Sequence, residues 1–366
     1  MSKKIICTVT NDLSQDQRMM RIAQSLQEQG FVVTLVGRQR IKSLPLAHRS
    51  YQQKRLRCYF DKGKLFYIEY NIRLFFYLLF TKFDLINSVD LDTILPATLV
   101  CMLQNKVHIH DAHEYFTETP EVQHRKFVKS MWQFVAKFCY PKTTARYTVC
   151  ESLKTVFKEV YHADFELVRN MPLSRDELNV STKKNDLFFI LYQGVLNAGR
   201  GLDEMISAMQ HLPNCVLQIA GTGDDEAKLK QLVEQLNLDS QIQFLGFVSS
   251  DKLWQLTQQC HIGINLLHAD SLNYYYSLAN KFFDYVQAEI PSINMNFPEY
   301  ALLNQQFKVS ILIDDLGIQS IVSAVEKLRQ NPMLYNALKS NCREAKLVWN
   351  WKLEAKKLRC IYAPFV

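Results

Sequence analysis

The fold of this chain is decided by the stretch Phe188-Phe189-Ile190-Leu191-Tyr192-Gln193-Gly194-Val195-Leu196-Asn197-Ala198-Gly199-Arg200-Gly201-Leu202. Its apolar start predicts a buried strand, and the glycine-rich turn leads into a helical pattern that continues to Met209. Because strands and helices already alternate through the first third of the chain, this stretch restarts that alternation. The sequence therefore predicts an α/β fold with two Rossmann-like, doubly wound parallel sheets.

The first sheet is predicted from short apolar runs, each followed by polar residues and a helical pattern. Ile5 to Val9 predicts a strand, Asp16 to Gln29 a helix, and Phe31 to Val36 a second strand ended by Gly37. Functional groups of open α/β sheets gather at the carboxyl ends of the strands. We therefore expect one rim to hold Asn11, Asp12, Asp90, Asp92, Asp111, His113 and Glu114.

Three segments are expected along the chain. Residues 1–172 are predicted to form the N-terminal domain, and residues 173–345 the C-terminal domain, with the polar run Ser181 to Asp186 near the start of the latter. An amphipathic helix over roughly Met333 to Tyr362 is expected to close the chain, with residues 346–366 crossing back to the N-terminal domain. A length of 366 residues fits two domains of ordinary size, with a ligand cleft between them.

Composition indicates a folded protein, with 48% hydrophobic and 22% charged residues. The nine cysteines are scattered singly, so no metal knuckle or redox dithiol is expected. The residues after Met1 run directly into the first strand, without a secretory apolar region. We therefore expect reduced thiols and a cytoplasmic location.

The formal net charge of +7 points to an acidic partner. Basic and aromatic residues alternate through residues 38–83, and this mixture suits the inner face of the cytoplasmic membrane. The apolar run Leu74 to Phe80 is too short to span a bilayer. A core helix covered by a solvated basic loop is an equal alternative. No nucleic-acid fold signature is present, so diphosphate and anionic lipid are the expected partners.

The glycine-rich turn is a candidate phosphate site. Gly194, Gly199 and Gly201 allow close approach of the backbone, Arg200 can pair with phosphate oxygens, and Asn197 lies within the turn. A purely structural turn is the alternative. The run Gly221-Thr222-Gly223 lacks the third glycine of the dinucleotide fingerprint, which disfavours a nicotinamide or flavin cofactor.

A second candidate phosphate site is Ser277-Leu278-Ala279-Asn280-Lys281-Phe282-Phe283-Asp284-Tyr285. Helical spacing of its apolar residues predicts that residues 277–280 form a first turn, where unpaired amides can receive an anion. Asp284 lies two turns after Tyr276 and can accept hydrogen bonds from ribose hydroxyls. An ordinary amphipathic helix with a serine cap is the alternative.

Five motifs together resemble the bacterial family 4 retaining glycosyltransferases, which have the GT-B fold. They occur in the family's order: Asn11-Asp12 with Asp16-Gln17-Arg18, Asp90 to Pro96, His110 to Glu118, Gly194 to Gly201, and Asn280 to Tyr285. The resemblance extends over nearly the whole chain. It implies two domains facing across a cleft, with the acceptor on the first and the nucleotide-sugar donor on the second.

The resemblance also implies roles for single residues. Asp284 takes the place of the acid that binds ribose, whereas Tyr276 stands where the family has a second acid. The family supplies two cations to the diphosphate; Arg200 matches one, Val195 replaces the other, and Lys281 is the candidate substitute. His113 matches the position beside the donor sugar. The loop around Asn11, Asp12, Asp16 and Arg18 is polar where the family's loop is glycine-rich.

The predicted activity is glycosyl transfer, an EC 2.4 reaction, from a UDP- or GDP-sugar to a hydroxyl of a glycan or lipid-linked glycan. Retention at the anomeric centre and a place in bacterial surface polysaccharide synthesis are implied by the resemblance. No metal ligand set and no cofactor are expected. Two other classes stay open: a sugar-nucleotide epimerase of the same architecture, and a non-catalytic protein that binds a nucleotide or a membrane.

Overall fold

The computed structural model describes residues 2–14, 16–41, 43–175 and 187–366. Lys42 of the basic stretch and the polar run Ser181 to Asp186 lie outside the described residues. The chain divides into two units. Unit 1 comprises Met1–Asn170 with Lys352–Val366, and unit 2 comprises Met171–Trp351.

Unit 1 is a seven-stranded parallel sheet with the order β3-β2-β1-β4-β5-β6-β7. Apolar strand residues with buried side chains form its centre, as expected when helices cover both faces. Its elements are β1 (Lys4–Thr8), α1 (Gln17–Glu28), β2 (Val32–Gln39), β3 (Gln52–Arg57), α2 (Gly63–Phe80), β4 (Leu85–Val89), α3 (Leu91–Gln104), β5 (Val107–Ala112), α4 (Pro120–Gln123), α5 (Lys126–Cys139), β6 (Ala145–Thr148), α6 (Glu151–Tyr161) and β7 (Glu166–Leu167).

Unit 2 is a six-stranded parallel sheet with the order β10-β9-β8-β11-β12-β13. The predicted pair of Rossmann-like sheets is therefore confirmed. The elements are β8 (Phe188–Gln193), α7 (Leu202–Met209), β9 (Cys215–Ala220), α8 (Glu226–Gln235), β10 (Ile242–Gly246), α9 (Ser250–Gln259), β11 (Ile262–Asn265), α10 (Leu272–Tyr275), α11 (Asn280–Gln287), β12 (Ser292–Met295), α12 (Pro298–Gln306), β13 (Ser310–Ile313), α13 (Ile318–Gln330) and α14 (Pro332–Val348).

The strand order of each sheet reverses at one point. In unit 1 the reversal lies between β1 and β4, and in unit 2 between β8 and β11. Chain connections leave such a point in opposite directions, which opens a crevice at the carboxyl ends of the two strands. Asp90 follows β4 and Gly194 follows β8, so the sheet topology brings both predicted regions to these crevices.

One prediction about the start of unit 1 was wrong. Gly37 does not end the second strand, since β2 continues to Gln39. The glycine is needed for space instead, because a Cβ there would lie 2.5 Å from the carbonyl oxygen of Asn11. Part of the basic stretch, for which a solvated loop was one of two alternatives, is strand β3, which pairs in parallel with β2 along its length.

The predicted single helix from Met333 to Tyr362 is two helices, α14 and α15 (Trp351–Tyr362). The Asn350 side chain ends α14 by donating hydrogen bonds from Nδ2 to the carbonyl oxygens of Lys346 and Leu347. Helix α15 packs within unit 1, where Arg359 pairs with Glu28 at 3.0 Å and the Tyr362 ring contacts Phe31 and Tyr147.

We predict that Tyr362→Ala destabilises unit 1 by about 3–5 kcal/mol, because it empties a fully buried aromatic site between Phe31 and Tyr147. Tyr362→Phe keeps the ring and removes only a hydroxyl 3.4 Å from that of Tyr147, so it should cost about 1 kcal/mol. Thermal unfolding followed by circular dichroism measures both. Equal melting temperatures for Tyr362→Ala and the wild type would show that α15 does not stabilise this unit.

Candidate active site

In unit 2 the glycine-rich turn follows β8 and is fixed by the turn after β9. The amide of Gly194 donates to the carbonyl of Ala220 at 3.0 Å, and that of Leu196 to the carbonyl of Thr222 at 3.1 Å. Gly221 has no room for a side chain, because a Cβ would overlap the carbonyl oxygen of Gly194. The two predicted glycine turns are thus in direct contact, and the second one supports the first.

The remaining predicted residues of this turn have structural contacts. The Asn197 side-chain oxygen accepts a hydrogen bond of 3.4 Å from the amide of Asp224. The carbonyl of Gly199 accepts one of 3.0 Å from the amide of His268. A Cβ at Gly223 would overlap the backbone of Leu196. Backbone and side-chain contacts therefore hold the turn in one shape before any ligand arrives.

Lys281 is buried beneath this turn, with only 8% of its surface exposed. Its Nζ lies 3.7 Å from the ring centroid of Tyr192, and a Cβ at Gly194 would be 3.5 Å from that Nζ. No carboxylate pairs with Lys281 among the described residues. Burial, together with the positive charge of Arg200, holds the pKa of Lys281 well below its ordinary value of 10.5.

Arg200 is the second cation at the turn. Its guanidinium carbon lies 4.8 Å from the ring centroid of Tyr274. The Nε of Arg200 is buried and has no hydrogen-bond partner within the described part of the chain. The structure therefore brings Arg200 and Lys281 near each other and provides neither with a carboxylate from the residues it describes.

The predicted start of the nearby helix was wrong. Helix α11 begins at Asn280, so Ser277, Leu278 and Ala279 form the segment that leads into it. The amide of Ala279 donates to the hydroxyl of Tyr300 at 3.0 Å, and the Ser277 hydroxyl donates to the carbonyl of Tyr274 at 2.8 Å.

The amides of Leu278 and Lys281 lie at this helix start. Within the described residues, no acceptor contacts either of them. Both can therefore receive an anion.

Asp284 is held by Gln193, the last residue of β8. Gln193 Nε2 donates to Asp284 Oδ2 at 2.9 Å, and Gln193 Oε1 accepts from the Thr257 hydroxyl at 3.1 Å. Tyr276 is not on α11 with Asp284, because it lies at the end of α10. Its ring packs against that of Tyr275 at 5.1 Å between centroids. The two residues therefore do not share a helix face.

Unit 1 contains an ion cluster of Arg18, Asp90, Asp111 and His113, which we call the Arg18 cluster. Arg18 on α1 pairs with Asp111 on β5 at 2.8 Å, and both side chains are buried. His113 Nε2 lies 2.7 Å from Asp111 Oδ2 and 2.9 Å from Arg18 Nε. The amide of His113 donates to Asp90 Oδ1 at 2.7 Å. Three of the predicted rim residues, Asp90, Asp111 and His113, therefore form one connected group with Arg18.

The ionisable groups of this cluster shift one another's pKa values. Burial favours neutral His113, but the carboxylates of Asp111 and Asp90 outweigh it and raise the pKa of His113 above 6.5. Burial likewise favours neutral Asp111, but Arg18 and His113 lower the pKa of Asp111 to about 2. His113 lies at the carboxyl end of the sheet, with a fifth of its side chain exposed.

Asp92 and Glu114 lie outside these contacts. Asp92 is buried and accepts a hydrogen bond of 2.6 Å from the Thr10 hydroxyl. Burial, with the neighbouring charge of Asp90, raises the pKa of Asp92 to about 8. Asp92 is therefore a protonated carboxyl group at neutral pH. Glu114 is exposed.

The polar loop of unit 1 uses its side chains to build its own shape. Asn11 Oδ1 accepts from the amide of Leu13 at 2.9 Å, and Asn11 Nδ2 donates to Asp16 at 2.6 Å. Asp16 also caps α1 by accepting from the amide of Met19 at 2.9 Å. Asp12 accepts from the amide of Ser14 at 3.2 Å. These contacts hold the loop in one shape, whereas a glycine-rich loop would have more conformational freedom.

Sequence reasoning did not identify the aromatic and amide residues that support the site. Tyr192 lies under Lys281, Tyr274 under Arg200, and Gln193 beside Asp284. Tyr192 and Gln193 end the apolar run before Gly194, and a polar or phenolic residue at the end of a buried strand was the available signal. Nothing local in the sequence pairs Tyr274 with Arg200.

A group of possible metal ligands lies beside the glycine turn. Asp203, Glu204 and His268 have ligand atoms within 4.8 Å of one another. Asp203 pairs with Lys228 at 3.0 Å, and Glu204 lies 2.9 Å from His268, so both carboxylates already have partners.

The Arg18 cluster makes a testable prediction about His113. Because Asp90 helps to raise the pKa of His113, Asp90→Asn should lower it, whereas Asp164→Asn on the surface should not. A raised pKa means that protonated His113 stabilises the fold fully below pH 6.5, and that this contribution is lost as pH rises through the raised value. NMR titration of the His113 ring measures the midpoint; a wild-type midpoint below 6.5 contradicts the cluster.

Family comparisons match both units. Residues 16–172 match the model of "Glycosyltransferase Family 4", and residues 174–345 match that of "Glycosyl transferases group 1". No curated protein matches the chain significantly.

Solved structures share the fold over the full length. The chain resembles sucrose-phosphate synthase from Thermosynechococcus elongatus with a TM-score of 0.82 and 14% identity, covering 99% of this chain and 98% of that one. It resembles Anabaena HepE in complex with UDP and glucose with a TM-score of 0.76 and 11% identity, covering 99% and 100%. For the lipopolysaccharide outer core galactosyltransferase WaaB the TM-score is 0.70 at 12% identity, covering all of both chains.

The two family matches follow each other along nearly the whole chain, and each falls on one of the two parallel-sheet units. The chain therefore belongs to the GT-B glycosyltransferases, with a family 4 domain followed by a group 1 domain.

Proposed function

We propose that this glycosyltransferase uses a UDP- or GDP-sugar and transfers the sugar, with retention, to a hydroxyl of a glycan or lipid-linked glycan. The observation that carries the donor assignment is buried Lys281, which lies next to Arg200 at a rigid glycine turn and has no carboxylate partner among the described residues. A cation buried in this way is stabilised by an anionic ligand. HepE, whose structure holds UDP and glucose, supports UDP as the first ligand to test.

The diphosphate of the donor is assigned to the surface formed by Gly194, Arg200, Lys281 and the amide of Leu278. When the bond between the sugar and the phosphate breaks, negative charge grows on the leaving diphosphate. Cations already fixed in a buried site stabilise that charge without reorganising solvent. We assign this catalytic role to Arg200 and Lys281.

The ribose is assigned to Asp284. Gln193 occupies one carboxylate oxygen and fixes the orientation of the side chain. A carboxylate held in this orientation can accept hydrogen bonds from the ribose hydroxyls. We assign Tyr276 to the donor sugar, to which its phenol can hydrogen-bond where the family has an acid.

Unit 1 is assigned to the acceptor and the sugar. The His113 ring is fixed by the Arg18 cluster, and its exposed part can form a hydrogen bond with a sugar hydroxyl. Protonated Asp92 can also donate one. We propose no general base, since the leaving phosphate can itself accept the proton of the acceptor hydroxyl in a retaining reaction.

Because the two cations serve the charge of the diphosphate, the proposed reaction needs no metal ion. Activity should therefore continue in the presence of EDTA. Loss of activity in EDTA, restored by a divalent cation, would instead assign a function to Asp203, Glu204 and His268.

Removal of either cation should weaken nucleotide binding. A hydrogen bond to a charged group contributes about 1.5–3 kcal/mol, so Lys281→Met or Arg200→Met should raise the Kd for UDP or GDP about 10- to 100-fold. Isothermal titration calorimetry measures this. Lys230→Met is the matched control, since exposed Lys230 lies 5.5 Å from the Phe244 ring and pairs with Glu226. Unchanged affinity in Lys281→Met would remove Lys281 from the site.

Binding should also take up protons. An arriving diphosphate raises the lowered pKa of Lys281 back toward 10.5, so the wild type gains protons at pH values between the free and bound pKa. Calorimetry in buffers of different ionisation enthalpy counts these protons. Lys281→Met should lose the uptake, whereas Lys230→Met should keep it.

The reaction class is tested by incubating the enzyme with a nucleotide-sugar, with and without a panel of oligosaccharides and lipid-linked oligosaccharides. We expect release of nucleoside diphosphate only with an acceptor, and a product whose anomeric proton coupling matches the donor's. An altered donor sugar without acceptor would indicate an epimerase. Binding without any turnover would indicate a non-catalytic protein.

A further inference from the structure

Helix α2 is apolar on two opposite sides. Phe66, Tyr70, Leu74 and Leu78 recur every four residues and are buried against the sheet. The opposite side carries a second stripe with the same spacing, and 51–80% of the surface of each of these side chains is exposed: Ile68, Ile72, Phe76 and Phe80. A helix at the surface of a globular protein normally has charged or polar residues on that side.

Helix α5 repeats this pattern. Its inner side buries Trp132, Val135, Ala136 and Cys139. Its outer side exposes Phe127, Met131 and Phe134, which recur at four and three residues and are 85%, 44% and 69% exposed. Phe134 stacks on Phe138, with ring centroids 6.3 Å apart. A second helix therefore presents aromatic side chains to solvent.

Helix α3 lies between these two helices. It packs against both α2 and α5, and its last turn adds exposed Met102 and Leu103. The Tyr67 ring of α2 contacts Trp132 of α5 at 5.9 Å. Each helix makes a crossover in the same direction along the order β3-β2-β1-β4-β5-β6, and right-handed crossovers place all three on one face of the sheet. We call the outer surface of α2, α3 and α5 the helix layer.

The ends of the outer two helices are strongly basic. Residues 62–82 contain Lys62, Lys64, Arg73 and Lys82 against one acid, Glu69, which pairs with Arg73. Residues 124–142 contain five cations and no acid: Arg125, Lys126, Lys129, Lys137 and Lys142. Nine cations and one acid therefore accompany the apolar side chains of these two segments.

Much of the basic stretch before α2 is used within unit 1. Arg38 is buried, with its guanidinium carbon 4.0 Å from the centre of the Phe66 ring. Arg55 Nε donates to the carbonyl of Asp12 at 2.7 Å. Strand β3 pairs with β2. The helix layer offers both exposed aromatic residues and exposed cations, and its helix α5 was not part of the sequence prediction.

We propose that the helix layer docks on the surface of an anionic lipid bilayer. Its exposed aromatic and aliphatic side chains enter the boundary between headgroups and acyl chains, and the lysines at the helix ends pair with lipid phosphates. No helix among the described residues has the length and apolarity to cross a membrane, so α2 lies in the plane of the interface. A second copy of the chain is disfavoured as the occupant, because two such basic surfaces repel each other.

The proposal goes beyond glycosyl transfer and is tested separately, with the full chain and vesicles of phosphatidylcholine alone or mixed with phosphatidylglycerol. We expect co-sedimentation with the mixed vesicles, weaker binding to the neutral ones, and a decrease as salt rises. Ile72→Gln/Phe76→Gln should reduce vesicle binding about tenfold or more, because it places two amides in the apolar stripe. Met333→Gln/Leu347→Gln on exposed positions of α14 is the matched control and should bind like the wild type.

A second variant, Lys126→Gln/Lys137→Gln, tests the charge of the layer without changing its apolar residues. It should reduce binding to mixed vesicles and leave binding to neutral vesicles unchanged. UDP affinity and the melting temperature of all three variants should equal those of the wild type, which separates docking from the donor site and from unfolding.

Three results would overturn the proposal. The first is the absence of wild-type binding to mixed vesicles, and the second is equal binding by the wild type and both helix-layer variants. The third is a concentration-dependent dimer, seen by analytical ultracentrifugation, that Ile72→Gln/Phe76→Gln abolishes; that result would make the layer an interface between copies.

Discussion

A lysine buried without a counter-ion is the constraint on which the donor-binding unit depends. Taking an ammonium group out of water costs on the order of several kcal/mol, and a cation–π contact recovers about 2 kcal/mol of that. Lys281 has such a contact with Tyr192, while Arg200 lies near enough to lower its pKa further. The folded unit therefore carries an electrostatic strain that an anionic ligand would relieve. Strain of this kind is characteristic of a binding site rather than of a structural ion pair.

The rest of unit 2 holds that strained group in place. Gly221 is packed against the carbonyl oxygen of Gly194 too closely for a side chain, so the turn over Lys281 cannot easily move away. Gln193, which is itself held by Thr257, fixes the side chain of Asp284. Asp284 lies on the same helix as Lys281. Unit 1 follows the opposite electrostatic rule, because Arg18, Asp111, Asp90 and His113 compensate one another's charges. Unit 2 is thus arranged to bind a charged ligand, whereas the charged groups of the Arg18 cluster in unit 1 are already paired with one another.

The sequence predicted the parts of the structure that depend on local pattern. The restart of strand and helix alternation at Phe188 predicted two sheets, and both are present. The single helix from Met333 was wrong because Asn350 breaks it through side-chain bonds to the preceding turn, which leave no signal in hydrophobic spacing. Gly37 was taken for a strand end, although its role is to make room for the Asn11 loop, a tertiary contact.

The same distinction applies to the site. Asp90, Asp111 and His113 were expected on one rim because strand ends meet there, but their link to Arg18 depends on how α1 packs. The proximity of Lys281 to Arg200 came from the resemblance to a family, and the burial that gives it physical meaning could not be derived from the sequence. The ring of Tyr274 was missed for that reason, since aromatic support beneath a cation is a property of packing, whereas Tyr192 had a signal in its place at the end of a buried strand.

The most direct test of this account is a crystal structure of the enzyme with a bound nucleoside diphosphate. We expect β-phosphate oxygens within about 3 Å of both Lys281 Nζ and a guanidinium nitrogen of Arg200, with the ribose hydroxyls on Asp284. A diphosphate bound elsewhere on the unit, with Lys281 still against Tyr192 and out of contact with it, would contradict the central claim.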